Sequence, residues 1–152
     1  MLRQELNDAL KTAMKAKEER AVSTLRMVLA GLKDKDIAAR GKGVTTGISD
    51  DDIRQMMQNM IRQRRDSIVM YEKGGRAELV QQETEEIAVI ERFLPKQMGP
   101  AEVEAAARAV IAELGAKDIK DMGKVMAAMK QRFAGQMDLS QVGPAVKKLL
   151  GG

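Results

Sequence analysis

The chain has no cysteine, no histidine and no tryptophan, and only Tyr71, Phe93 and Phe133 are aromatic among its 152 residues. Without cysteine there is no disulfide, no thiolate chemistry and no sulfur-ligated metal. Without histidine or cysteine, nucleophilic triads of the Ser–His and Cys–His kinds are excluded. No apolar run approaches membrane-spanning length, and MLRQELNDAL carries charge where a secretory leader needs an apolar block. These absences point to a cytoplasmic helical binding module, not membrane-associated, rather than a self-sufficient enzyme.

What is present builds a core. Hydrophobic residues make up 44% of the chain and charged residues 32%, a balance that folds rather than stays disordered. Twelve methionines supply volume that aromatics usually provide, and their unbranched side chains read as adaptable helix-core filler. Net charge is +4. It is uneven: residues 1–94 hold 17 Lys and Arg against 16 Asp and Glu, whereas residues 95–152 hold 9 against 6. That bias is compatible with a polyanionic partner.

Helical periodicity runs throughout, with no convincing strand. Leu2, Leu6, Ala9, Leu10 and Ala13 form one stripe, and Val22, Leu25, Leu29 and Leu32 the next. After a Gly/Thr-rich loop, Ser49 reads as an N-cap, with Asp50, Asp51 and Asp52 compensating the helix dipole rather than ligating a metal. The long third helix, with Ile53, Met57, Met60, Ile61, Ile68 and Tyr71 inward, is expected to stop at Gly74 or Gly75. The fourth buries Leu79, Ile87 and Ile90 before Pro95. The Pro/Gly segment 95–100 reads as a linker. Three short helices follow, one starting at Pro100 and ending at Gly115, one ending near Gly135, and one starting near Ser140. The expectation is an all-α protein: an N-terminal four-helix subdomain over 1–94 and a small three-helix bundle over 101–152.

Enzyme templates fail. Gly41, Gly43 and Gly47 have the wrong spacing for a dinucleotide fingerprint and no strand before them, and Gly123-Lys124 lacks the first glycine of a phosphate loop. No catalytic residue, metal ligand or cofactor is expected. The basic cluster around the third helix is more informative. Residues 54, 58, 62 and 65 share one side, so Arg62 and Arg65 read as solvent-facing and available for phosphates. Arg64 joins the apolar stripe and requires a partner. Glu83 lies on the stripe of Leu79 and Ile87 with Glu86 beside it, so a hairpin folded at Gly74-Gly75 sets up an interhelical ion pair of structural character. Farther on, Lys120, Lys124, Lys130 and Arg132 form the stronger candidate surface for RNA. With few aromatics, it would read folded RNA by shape and phosphate.

Three pieces carry a resemblance: STLRMVLAGLK, then RQRRDSIVMYEKGGRAELVQQETEEIAVIERFLP, then Asp121-Met122-Gly123-Lys124-Val125-Met126. They resemble the YqeY family, which is similar to the tail region of GatB, the B subunit of tRNA-dependent amidotransferase. The resemblance implies an all-helical accessory module for tRNA or other structured RNA, contacting it near Lys124. It implies partnership with an amidotransferase or aminoacyl-tRNA synthetase complex, and no catalysis alone, since the amidating domain is not part of the match. Two further readings stay open: a component of a carbon–nitrogen ligase complex using glutamine as amide donor, and a helical protein–protein adaptor.

Overall fold

The computed structural model describes residues 1–151, and they contain seven α-helices, one short 3₁₀ turn and no strand. The chain divides into two compact units, Met1–Leu94 and Pro95–Gly152.

In the first unit the helices are α1 (Leu2–Lys15), α2 (Glu19–Gly41), α3 (Asp50–Lys73) and α4 (Ala77–Glu91). Each contributes an apolar stripe to one core: Leu2, Leu6 and Ala13; Ala21, Leu25, Val28 and Leu32; Ile53, Met56, Met57 and Ile61; Val89 and Ile90. Ser49 caps α3 by accepting the Asp52 N–H at 3.1 Å, and three aspartates occupy the first turn, where the helix dipole favours them. Gly74 closes α3 in right-handed geometry, and Gly75 takes the left-handed φ of 68° that turns the chain into α4.

Two expected faces differ in detail. Gln58, placed with the solvent-facing arginines by spacing, is buried. In α4, Leu79 and Ile87 are only half-buried while Val89 and Ile90 are deep. Burial in this helix increases toward its C-terminal end, away from the turn, and an angular stripe does not encode that gradient.

A polar clamp closes the loop between α2 and α3. Arg3 grips the Asp36 carboxylate with both guanidinium ends and donates to the Ile48 carbonyl at 3.1 Å, while the Ile48 N–H donates to Asp36 at 2.9 Å. The hydrogen bond from Arg3 holds the Asp36 carboxyl below its ordinary range. Gly47 permits the close approach, with φ of +87° and an added Cβ meeting Arg3 Nη2 at 2.5 Å.

The second unit contains α5 (Pro100–Leu114), the 3₁₀ turn Ile119–Asp121, α6 (Met122–Arg132) and α7 (Leu139–Leu149). Its separate core joins Val103, Ala107 and Val110 to Val125, Met129, Met137, Val142, Val146 and Leu150. Pro100 occupies the first turn of α5, where its missing N–H costs nothing, and Gly115 ends the helix in the left-handed region. The cap of α7 is Asp138, which accepts the Ser140 N–H at 3.0 Å. Pro95–Gly99 belongs to this unit: the Met98 N–H donates to the Gln136 carbonyl at 2.7 Å, and the Gln97 amide donates to the Gly135 carbonyl at 2.7 Å.

The clamp yields a measurable contrast. Gly47→Ala adds a side chain at positive φ and pushes on Arg3, so a loss of about 2 kcal/mol is expected in urea denaturation. Gly43→Ala, also at positive φ but opening onto empty space, should cost only about 1 kcal/mol. Equal losses would mean that Arg3 yields freely.

Candidate functional site

The α3–α4 hairpin brings Arg64, Glu83 and Glu86 together. Arg64 is buried, because its position on α3 repeats the spacing of Met57 and Ile61. Its Nε donates to Glu86 Oε2 at 2.9 Å and lies 3.9 Å from Glu83. Nη1 donates to the Met60 carbonyl at 3.0 Å, and Nη2 meets Met27 Sδ on α2 at 2.8 Å. Gln82 supplies Glu86 with a second donor at 3.2 Å. The guanidinium therefore touches three helices and is held on each of its nitrogens.

The two glutamates are unequal. Glu86 takes the direct bond, while burial first and the neighbouring Glu86 charge second push the Glu83 carboxyl above its ordinary range, against the pull of Arg64. Two carboxylates share one cation, and the more distant one is the less comfortable as an anion. Chemically this is a cross-brace, since the guanidinium is occupied by protein acceptors. Met27 had no signal in the sequence, because nothing in a local pattern identifies an acceptor 37 residues away.

The neighbouring arginines are placed differently. Arg65 is exposed and lies 3.7 Å from Glu91, whereas Arg62 is half-buried. An exposed pair of this length contributes on the order of 0–1 kcal/mol.

In the second unit, α6 buries Val125 and Met129 and leaves Lys124 and Lys130 exposed, with Lys120 exposed on the preceding 3₁₀ turn. At about 100° per residue, Lys124 and Lys130 project roughly 120° apart around α6, so they do not form one narrow stripe. Arg132 forms an ion pair with Glu113, which holds the Glu113 carboxyl below its ordinary range. Four more of the unit's six acids are engaged too, Glu102 being the exception among the described residues. Glu104 pairs with Arg108 at 2.7 Å. Asp118 accepts the Lys120 N–H at 2.9 Å, Asp121 the Lys117 N–H at 3.0 Å, and Asp138 the Ser140 N–H. The Lys117 N–H in turn lowers the Asp121 carboxyl.

The lysines have no such partners. Among the described residues, Lys96, Lys117, Lys120, Lys124, Lys130, Lys147 and Lys148 enter no ion pair. Glu104 and Asp121 feel Lys148 and Lys124 only as nearby charges. Also among the described residues, no group of three or more acids is disposed to hold a metal ion, and no helix is long and apolar enough to cross a membrane.

With this geometry in view, the family profile described as Yqey-like protein matches residues 3–150. The chain belongs to the YqeY family. Among its relatives, a Lachancea thermotolerans protein named altered inheritance of mitochondria protein 41, mitochondrial, is 33% identical over 111 residues, 72% of this chain and 57% of that protein. The Eremothecium gossypii protein of the same name is 35% identical over 104 residues, 68% of this chain and 55% of its own. The YqeY-family chain thus spans little more than half the length of these relatives.

Their names correct one expectation. A cytoplasmic location was inferred from the charged N-terminus, but the relatives are named as mitochondrial proteins. The inference rested on excluding a secretory leader and a membrane span, and neither exclusion distinguishes the cytosol from an organelle interior.

Two predictions concern the cross-brace. Arg64→Ala strands Glu86 in a buried setting and should cost about 3 kcal/mol in urea denaturation, with Arg64→Met and Glu86→Leu together recovering most of it. A near-neutral single variant would show that water replaces the guanidinium. The second follows from Glu83. Its raised carboxyl binds its proton more tightly in the native state, so the penalty is absent at low pH and grows as pH rises through the native titration. Glu83→Gln should therefore stabilise the protein at pH 7, and the gain should vanish below pH of about 4. A gain that persists into acid would assign the effect to packing.

Proposed function

We propose that this YqeY-family chain is an accessory module that binds tRNA, related to the tail of glutamine-dependent aspartyl/glutamyl-tRNA amidotransferase and without catalysis of its own. The observation that carries the reading is the division of labour among charges in the second unit. Five of its six acids are engaged by arginines or by backbone N–H groups, Glu102 being the exception, while its seven lysines keep their charge for a partner. A surface of unneutralised ammonium groups suits a phosphate backbone, where each contact releases counterions. The spread of Lys120, Lys124 and Lys130 over more than one face suits a broad, folded polyanion better than a small ligand.

The two separate cores support reading the four-helix and three-helix units as a subdomain pair, with RNA contact concentrated in the second. Arg62 and Arg65 on α3 are proposed as separate phosphate contacts of the first unit. A partner complex containing an amidotransferase or an aminoacyl-tRNA synthetase would supply the chemistry that the chain lacks, with glutamine as amide donor.

A fluorescence titration of labelled tRNA at 50–200 mM salt tests the reading. Wild-type affinity should fall steeply with salt. The variant K120E/K124E/K130E should bind at least about tenfold more weakly, with a log–log salt slope flatter by about 2. Far-UV circular dichroism checks that its surface helices persist. Absence of binding at low salt, or equal binding by the variant, would transfer the lead to a protein–protein adaptor, whose apolar contacts are little affected by salt.

A further inference from the structure

Among the described residues the exposed methionines are Met1, Met14, Met27 and Met70. Met27 differs from the others in its environment. It is 38% exposed, yet its sulfur accepts the Nη2 donor of a guanidinium that is itself buried. No donor reaches the sulfurs of Met1, Met14 or Met70 among the described residues. Met57 and Met129, fully buried, are closed to solutes.

A thioether is a weak acceptor, whereas a sulfoxide oxygen is a strong one. Arg64 already donates from Nε to Glu86 and from Nη1 to the Met60 carbonyl, so the Met27 sulfur is the poor acceptor among its three partners. We propose that Met27 is an oxidation site built into the first unit: conversion to the sulfoxide gives Arg64 a strong acceptor from α2 and tightens the contact between α2 and α3.

The step needs a hydroperoxide, hydrogen peroxide being the simplest. The sulfur lone pair attacks one peroxide oxygen, the S–O bond forms as the O–O bond breaks, and the departing oxygen leaves as water with the peroxide protons. Sulfur is oxidised by two electrons and the peroxide is reduced. The added oxygen finds room because Met27 is partly in solvent and has three rotatable bonds, so the sulfur can retreat while the oxygen takes its place at Nη2. Oxidation of a methionine in a core normally disrupts packing; here it meets a waiting cation.

The test uses the full chain in a M14L/M70L background, which leaves Met1 and Met27 as the exposed methionines. The protein is treated with dilute hydrogen peroxide until peptide mapping shows Met1 fully oxidised, alongside M14L/M27L/M70L handled identically. Met27 sulfoxide should form, the melting temperature should rise by about 4 °C, and the Arg64 side-chain NMR signals should shift. The Met27-free control should show neither change. A reduced Met27 after complete Met1 oxidation would overturn the proposal. So would an unchanged or lower melting temperature, or Arg64 signals that do not move.

Discussion

The first unit depends on one buried cation. Arg64 sits where an apolar residue would satisfy the helical spacing of α3, and it draws acceptors from α2, α3 and α4 at once. A guanidinium removed from water costs several kcal/mol unless its donors are met in good geometry. Any packing of the three helices that separates Arg64 from Glu86 therefore leaves two ions without compensation. The contact thus disfavours packings of the hairpin that part Arg64 from Glu86.

Specificity from charge suits a core with so few rings. Met56 and Met60 of α3 pack against α2 at Gly31, where the Met60 methyl approaches so closely that a Cβ would lie 2.7 Å from it. Flexible thioethers fill irregular volume but define position poorly. Directional contacts compensate: the Arg3–Asp36–Ile48 clamp fixes the α2–α3 loop, and Arg64 fixes the hairpin. Polar geometry here supplies positional information that aromatic packing gives in other domains.

Much of this was legible in the sequence, for identifiable reasons. Capping chemistry is local, so Ser49, the stop at Gly74 or Gly75, Pro100 and Gly115 are legible. The all-helical class followed from periodicity, and the YqeY resemblance from the hairpin segment. What stayed hidden depends on the third dimension. Periodicity gives an angle around a helix axis but not a depth along it, so Leu79 reads as core while the deeply buried Val89 goes unmarked. Gln58 was assigned to solvent by an angle close to the edge of the buried face. The pairing of Arg132 with Glu113 joins residues 19 apart on different helices, and no spacing rule finds it. The free lysines were visible as a charge excess, yet only the placement of the acids shows why that excess remains unneutralised.

The Pro95–Gly99 segment has a practical consequence for dissecting the chain. It looks like a hinge, but Met98 and Gln97 fasten it to the carbonyls at 135 and 136, between α6 and α7. A fragment begun at Pro100 would discard the 2.7 Å donor to Gln136 and the Met98 side chain packed on the core. The natural cut lies before Pro95, after Phe93 and Leu94 have packed on the first core and where the clasp of the second unit begins.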